Sequence, residues 1–459
     1  MAHPAPDASL PRPTQGAPEA TAGNFKRVLG VPSLVLFGLV YMVPLTAFTT
    51  YGIVTQLTGG RVALSYIITL VAMVFTARSY ARMTVAYPYA GSAYVYTQQS
   101  FGGAVGFLTG WSLLLDYLFL PMINYLILGL YLSSAFPVIP PWVWILASIL
   151  LVTALNIIGI RSIARANFVI VAVQTIFIVV FVALSIAAAV GNGVDPMLPF
   201  RGDGSADGVG LLFAGAAILC LSFLGFDSIS TLAEEAKQPT RSVPRAIMIV
   251  TVSAGLIYIL LSYLAQIAYP SNVFGSVDTA SLDVVASLGG QWLSTLFISG
   301  FIAGALGSAL TSQASVSRIL FAMGRDGVLP RPVFGHLSTR FGTPVFAILI
   351  VSAVSLLALV LDLELLASMI SFGALIAFSF VNLSVVKHYF VDLKERAGWG
   401  VLNNVVLPCI GLALTLWLWT NLAPTTFVIG LSWAAVGFVI LLVITRGFRR
   451  PTPTLDLAE

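Results

Sequence analysis

The hydrophobic positions of the chain fall into long runs that recur along nearly its whole length. Each run has about 20 mostly apolar residues, the length of helix that crosses the hydrocarbon core of a bilayer. Short polar stretches separate the runs. The pattern therefore predicts an all-α polytopic membrane protein with twelve transmembrane helices in a lipid bilayer. Their approximate bounds are 31–57, 62–86, 104–135, 141–160, 167–190, 209–233, 246–269, 290–317, 344–362, 365–387, 403–422 and 426–446.

Two of the predicted spans are interrupted near their centres by polar residues and glycine. The first span contains Pro44 and then Thr49-Thr50-Tyr51-Gly52, and the sixth contains Gly225 and Asp227. Proline and glycine are common in membrane helices, so a single interruption is also consistent with a simple kink. Two interruptions five spans apart favour two inverted five-helix repeats, whose broken helices 1 and 6 surround a site at the bilayer midplane.

The same pattern divides the chain into a core and accessory parts. Residues 1–24 are rich in Pro, Ala and Gly without an apolar period, which predicts a disordered cytoplasmic N-terminal tail. We expect a ten-helix inverted-repeat core over 25–389 and two peripheral helices, spans 11 and 12, over 390–447. Residues 448–459 are then a cytoplasmic C-terminal tail.

Composition and charge agree with this interpretation. The 459 residues are 58% hydrophobic and only 9% charged, whereas an average soluble domain is about 25% charged. Cytoplasmic loops of membrane proteins collect Lys and Arg. Placing the N-terminus inside the cell leaves only Arg61 and Arg201 of the 22 basic residues on the outer side. Both termini are therefore predicted to be cytoplasmic, and the net positive charge indicates topology rather than a nucleic-acid partner.

Only two of the 18 carboxylates lie deep within predicted spans. Asp116 lies about twelve residues into the third span, or about 18 Å along a helix, and Asp227 lies at the interruption of the sixth. No Lys, Arg or His lies at comparable depth. Such residues usually mark a substrate or ion path, where a proton or an external cation neutralises them. Hydrogen bonding to the backbone of a neighbouring helix is the structural alternative for each acid.

Aromatic side chains adjoin the two acids in the sequence, and an aromatic face beside a carboxylate suits an alkylammonium ion. Packing within the helix bundle is the alternative role for each of them. The candidate substrate-binding residues are Thr49, Thr50, Tyr51, Gly52, Tyr94, Asp116, Tyr117, Phe223, Gly225, Phe226 and Asp227.

Several stretches resemble the amino acid–polyamine–organocation (APC) superfamily over about residues 26–450. They are YPYAGSAYVY at Tyr87–Tyr96, Gly225-Phe226-Asp227 with Glu234-Glu235, and the loop Met323–Pro330. Within the superfamily the chain is most similar to bacterial putrescine importers. The segments that carry this similarity are Leu114–Asn124, Pro141–Trp144, Ser222–Asp227 and Phe378–Ser384.

The resemblance implies a leucine-transporter-type fold, alternating access, and uptake driven by the proton gradient across the bacterial plasma (inner) membrane. Asp116 and Asp227 are the candidate proton carriers. One departure concerns the substrate, because the putrescine importers carry an acidic residue where Thr49 stands here. Since the two ammonium groups of a diamine favour two acidic partners, a monoamine or an amino acid becomes more plausible.

The choice of substrate and of coupling ion therefore stays open at this point. An importer of a small cationic amine such as putrescine is the first hypothesis, and an amino acid symporter or exchanger of the same fold is the second. Gln174 is the most polar deep residue of the fifth span, which has no Lys, and Ser308, Thr311 and Ser312 offer hydroxyls for a sodium ion. A membrane-embedded enzyme or sensor is disfavoured, and no cofactor or metal centre is expected.

Overall fold

The computed structural model describes residues 27–89, 91–158, 163–205, 208–325, 329–338, 340–450 and 452. The predicted N-terminal tail 1–24 and most of the C-terminal tail lie outside the described residues. The described part is built of helices joined by short loops. The prediction of an all-α membrane protein is confirmed, because eleven of these helices are long and apolar enough to cross a membrane.

Seventeen α-helices follow one another within the described residues, with short 3₁₀ and π segments among them. The 3₁₀ segments are Pro44–Phe48, Cys220–Phe223, Asp227–Glu235, Val277–Thr279 and Leu356–Leu359, and the π segments are Val386–Asp392 and Leu402–Val406. The α-helices are α1 Val31–Met42, α2 Tyr51–Thr58, α3 Val62–Ala86, α4 Ser92–Phe101, α5 Gly103–Ala135, α6 Pro141–Ile158, α7 Ile163–Asn192, α8 Leu198–Arg201, α9 Val209–Leu219, α10 Pro239–Ala268, α11 Ala280–Arg325, α12 Arg331–Phe334, α13 Val345–Ser355, α14 Leu363–Val385, α15 Trp399–Val401, α16 Leu407–Thr420 and α17 Pro424–Ile444.

Three predicted bounds differ from the observed helices. The seventh predicted span begins at Pro239 rather than near residue 246, because a proline is tolerated in the first turn of a helix and the polar residues after it are helical. The eighth extends over Ala280–Arg325 with a break at Gly290, whose φ is 61°. The predicted ninth span corresponds to the shorter apolar helix Val345–Leu359, so a twelfth span stays a prediction.

The third predicted span, α5, lies at the centre of the helix bundle. Its most apolar stretch is 94% buried within the protein, whereas the corresponding stretch of α17 is only 17% buried. An apolar helix that is exposed in this way faces lipid, and an apolar helix that is buried on all sides faces other helices. Asp116 on α5 is therefore enclosed by protein.

A short extended segment before α1 joins the two halves of the chain. Leu29 pairs with Ala236 in a parallel bridge. The Val28 and Leu29 amides donate to the Glu235 carbonyl at 2.9 and 3.0 Å, and the Lys237 amide donates to the Leu29 carbonyl at 2.9 Å. The start of the first span is thus attached to the end of the sixth.

Candidate functional site

The first span is interrupted between α1 and α2. Helix α1 ends at Met42, and Val43 then takes φ 51° and ψ 98°, a conformation that is a clear outlier for a β-branched residue. Pro44 follows, and its missing amide and its effect on the preceding residue both oppose a continuous α-helix. A 3₁₀ turn spans Pro44–Phe48, and the α-helix resumes at Tyr51. Regular α-helical hydrogen bonding is therefore interrupted over residues 43–50, where the Thr46 and Thr49 amides instead donate to carbonyls three residues earlier.

The sixth span is interrupted by a similar change of backbone direction. After the 3₁₀ turn Cys220–Phe223 the chain is extended at Leu224, and Gly225 has φ 124°. A Cβ atom on Gly225 would lie 2.7 Å from the Tyr41 ring and 2.8 Å from the Met42 side chain. Glycine is required here both by its φ and by this close approach. The two interruptions therefore pack directly against each other.

One hydroxyl group links the two interruptions. The Tyr258 hydroxyl of α10 donates to the Ser222 carbonyl at 2.8 Å and lies 3.4 Å from the Met42 carbonyl. These carbonyls belong to the last turn before each interruption and have lost their regular helical partners. Tyr66 adds a hydrogen bond of 2.9 Å to the Ser222 hydroxyl. Tyr258 was not among the predicted site residues, because its only signal in the sequence was a tyrosine in the middle of the seventh apolar run.

Asp227 is held at the second interruption by two donors. Its Oδ1 atom accepts from the Gly225 amide at 3.1 Å, and its Oδ2 atom accepts from the Tyr117 hydroxyl at 3.3 Å. The residue is 2% exposed. The structure therefore brings together three of the predicted site residues, from two different spans.

Asp116 lies next to Tyr117 on α5 and is buried to the same extent as Asp227. Its Oδ1 atom has no hydrogen-bond partner among the described residues. Helix α14 approaches it closely, because a Cβ atom on Gly373 would lie 2.5 Å from the Ser112 carbonyl and 3.3 Å from the Asp116 amide. No ion pair within the described part of the chain includes Asp116 or Asp227. An unpaired buried carboxylate is costly, so this oxygen favours a proton or a visiting cation.

Aromatic rings surround the acid-bearing segment. Phe226 packs on Tyr80 at 5.6 Å and on Phe378 at 5.2 Å between ring centroids. Phe223 packs on Tyr258 at 5.4 Å. Tyr94 lies against Gly110 of α5, where an added Cβ would be 2.8 Å from its ring. Phe226, which precedes Asp227 in the chain, therefore lies in an aromatic cluster with Tyr80 and Phe378.

Tyr51 and Gly52 point elsewhere. The Tyr51 hydroxyl donates to Gln266 Oε1 at 3.3 Å, and its ring packs on Phe274 at 6.2 Å. A Cβ atom on Gly52 would overlap the Val277 carbonyl. The contacts of these two predicted site residues are with the end of α10 and the segment after it, and the structure does not bring them to Asp227.

A small cavity lies at the first interruption. Its volume is about 30 Å³, and Thr49, Asn124 and Ser308 contribute polar groups to its wall. Asn124 donates to the Ser308 hydroxyl at 3.1 Å, while the neighbouring Thr50 hydroxyl is buried without a partner among the described residues. A cavity of this size has room for one or a few water molecules. The sequence analysis did not place Asn124 in the site, although an amide inside an apolar run was visible.

Gln174 of α7 reaches the other side of the same interruption. Its amide nitrogen lies 3.5 Å from the Gly300 carbonyl, and its oxygen has no partner among the described residues. A Cβ on Gly304 would overlap the Gln174 amide and would lie 2.8 Å from the Val43 side chain. The amide of Gln174 is therefore directed at α11, at the point where α11 also contacts Val43.

The comparisons with known proteins agree with this architecture. The family model for amino acid permeases matches residues 32–454. The low-affinity putrescine importer PlaP of Escherichia coli K12 is 37% identical over 443 residues, 96% of this chain and 98% of that protein. The branched-chain amino acid permease BcaP of Bacillus subtilis is 26% identical over 93% of this chain and 95% of its own. Human cationic amino acid transporter 4 is 30% identical over 79% of this chain and 60% of its own.

A multi-pass helical bundle with two buried acids at its centre is the architecture of a membrane transporter. The chain belongs to the amino acid permease family. It is therefore a membrane permease rather than an enzyme.

Proposed function

We propose that this protein is a secondary active transporter that imports a small cationic amine of the putrescine type. The observation that carries the proposal is the pair of buried acids, Asp116 and Asp227, which no basic residue of the described chain neutralises. A positively charged substrate compensates such a site, whereas an anionic substrate is repelled by it. The similarity to a protein named as a putrescine importer supports the same substrate class.

Asp227 is the proposed ammonium partner. Its Oδ2 atom faces the Tyr117 hydroxyl, and its neighbour Phe226 forms an aromatic cluster with Tyr80 and Phe378. A carboxylate supplies the charge, and aromatic faces stabilise the alkylammonium ion by cation–π attraction. The methylene chain of the amine then lies along the apolar residues between the two interruptions.

Asp116 is the proposed proton carrier. Its Oδ1 atom is buried and unpartnered within the described residues, so the protonated form avoids the cost of an isolated carboxylate. Since Asp116 and Tyr117 are adjacent, protonation of Asp116 changes the charge beside the Asp227 site. Symport requires such a link between the proton and the substrate. Replacement by asparagine, Asp116→Asn, should abolish stimulation of uptake by a pH gradient while substrate still binds.

For the fold we propose two inverted five-helix repeats and alternating access, with twelve spans in total. The interruptions at residues 43–50 and 220–226 then belong to discontinuous helices 1 and 6. Tyr258 and the bridge between Leu29 and Ala236 connect the two repeats at these helices. We also propose a bacterial inner-membrane location with both termini in the cytoplasm.

The deciding experiment is uptake by the purified protein in liposomes. Labelled putrescine, butylamine and a panel of amino acids are compared, with and without an imposed inside-alkaline pH gradient. We expect saturable uptake of amines that the gradient stimulates and an ionophore abolishes. Transport of an amino acid, with neither uptake of nor competition by the amines, would refute the proposal.

An amino acid symporter or exchanger is the second candidate, and one feature favours it. The first interruption carries Thr49 and Thr50 in place of an acid, and the Thr50 hydroxyl has no partner among the described residues. The first amides of α2 lie next to it and have no partner within their own helix. Together these donors suit a carboxylate. The same amino acid panel separates the two candidates.

A further inference from the structure

A groove of about 410 Å³ opens on the outside of the protein between the end of α3 and the first turns of α10. Its apolar floor includes Val85, Met248 and Ile249. Val85 and Ile249 are 42% and 47% exposed. Exposed apolar side chains on the outer face of membrane helices contact lipid. The groove is therefore open to the bilayer, and neither buried acid lines it.

Three arginines surround this apolar floor. They are Arg78 and Arg82 of α3 and Arg245 of α10, and no acidic side chain lines the groove within the described part of the chain. A guanidinium group has five donors arranged to match a phosphate. Basic residues concentrate at the ends of membrane helices near the headgroup region. The groove thus combines an apolar surface with three positively charged side chains.

Two of the arginines are held in place by the segment before α16. The Arg78 Nη2 atom donates to Asn403 Oδ1 at 2.7 Å, and the Arg82 Nη2 atom donates to Asn404 Oδ1 at 2.8 Å. Arg82 also lies 4.0 Å above the Tyr389 ring. The Nε atoms of both arginines are buried and have no hydrogen-bond partner among the described residues. Both guanidinium groups are therefore held in position beside the groove.

The positive charge of the groove is only partly balanced. Arg82 Nη2 lies 3.6 Å from Glu395 Oε2, and Glu395 in turn accepts from Asn404 at 3.0 Å. Arg78 and Arg245 take part in no ion pair within the described residues. The groove also borders the N-terminal end of α10, which carries a partial positive charge. An excess of positive charge therefore faces the bilayer.

We propose that this groove binds an anionic phospholipid. The phosphate of the headgroup contacts Arg78 and Arg245, with Arg82 behind them, and an acyl chain lies along Val85 and Ile249. Basic pockets between transmembrane helices bind such headgroups. A free phosphate would use the arginines but leave the apolar floor exposed, so the lipid fits better. The lipid would hold α3 and α10 together, and α10 carries the Tyr258 hydroxyl that joins the two interruptions.

The test uses the purified full-length protein, delipidated in a mild detergent. Native mass spectrometry and thermal unfolding are recorded with three probes: phosphatidylglycerol, phosphatidylethanolamine with the same acyl chains, and glycerol phosphate. We expect retention of phosphatidylglycerol and a rise in unfolding temperature with that lipid alone. Arg245→Gln should lower its occupancy about fivefold, and Arg245→Glu should lower it further. Arg245 is exposed, so neither change removes a buried contact.

Arg331→Glu is the matched control, because Arg331 is exposed on α12 and does not line the groove. Its lipid occupancy should equal that of the unmodified protein. Equal retention of phosphatidylethanolamine, or equal phosphatidylglycerol occupancy in Arg245→Glu and Arg331→Glu, would overturn the proposal. Competition by glycerol phosphate at the same concentration as the lipid would overturn the lipid assignment and leave a soluble phosphate as the ligand.

Discussion

The two interrupted spans share the same backbone arrangement but differ in the charge of their side chains. Each ends its first half with a carbonyl within reach of the Tyr258 hydroxyl, Met42 in one and Ser222 in the other. Each then contains a residue with positive φ, Val43 at 51° and Gly225 at 124°. The sixth span adds Asp227, whereas the first has no acid over residues 43–50 and offers the hydroxyls of Thr46, Thr49 and Thr50. The site between them is therefore asymmetric in charge.

The positive φ has a different conformational free-energy cost at Val43 and at Gly225. Glycine adopts such a conformation readily, and a valine is strained by it. The strain at Val43 is of the order of 1–3 kcal/mol and persists only where the surroundings enforce it. The close contact with α11 near Gly304 provides that enforcement. The first interruption is thus maintained by packing, and the second by the absence of a side chain.

Removal of the Asp227 charge from the sixth span should have the largest single effect on uptake. We expect Asp227→Asn to reduce amine uptake about 100-fold, because loss of one partner of a desolvated ion pair costs about 2–5 kcal/mol. The measurement is the initial rate of labelled amine uptake in liposomes at equal protein density. Asp195→Asn is the control, since Asp195 lies in an exposed loop and pairs with Arg201 at 3.6 Å. Undiminished uptake by Asp227→Asn would contradict the proposed role.

Replacement of Gly225 in the sixth span should give the second largest effect. Gly225→Ala places a methyl group 2.7 Å from the Tyr41 ring, at a φ that alanine rarely adopts. We expect a loss of about 1–3 kcal/mol in folding free energy and slower transport. Thermal unfolding in detergent and uptake in liposomes measure the two effects. In Gly210→Ala, where the added methyl meets nothing within 4 Å, stability should be unchanged or slightly higher.

The neutral end of the site can be converted to an acidic one. Thr49 is 3% exposed and lines the small cavity at the first interruption. In Thr49→Asp a second carboxylate faces the far end of the substrate, so the ratio of putrescine to butylamine uptake should rise about tenfold. Thr49→Asn has the same shape without the charge and should leave the ratio unchanged. An equal shift in both variants would show that shape rather than charge selects the diamine.

The sequence was sufficient for those features that depend on local composition. Apolar runs predicted a multi-pass helical protein, and the depth of Asp116 and Asp227 within those runs predicted their burial. The contact between Tyr117 and Asp227 joins two residues that the sequence analysis had selected separately. These features follow from the free-energy cost of placing a polar group in a bilayer, which depends on the residue itself and not on its neighbours in the fold.

Other features depend on which helices are neighbours, and the sequence analysis did not find them. Tyr258 and Asn124 looked like isolated polar residues in apolar runs, and their partners lie on other spans. Tyr51 was selected as a site residue, but its hydroxyl contacts Gln266, because the first turn of α2 faces the end of α10. Only the packing of distant segments decides the direction of such side chains.

Removal of the Tyr258 hydroxyl, which joins the two interruptions, should have the smallest of these effects. Tyr258→Phe keeps the ring contacts with Tyr66 and Phe223 at 5.5 and 5.4 Å. It removes one hydrogen-bond donor from the Met42 and Ser222 carbonyls. A buried hydrogen bond contributes about 1 kcal/mol, so we expect about a fivefold decrease in uptake rate with near-normal expression. Tyr263→Phe, on the same helix, removes a hydroxyl whose hydrogen bond among the described residues is to the Pro196 carbonyl of an exposed loop, 3.0 Å away, and should transport normally. If both variants transport equally well, the two interruptions keep their relative position by packing alone, and the hydroxyl is incidental to the mechanism.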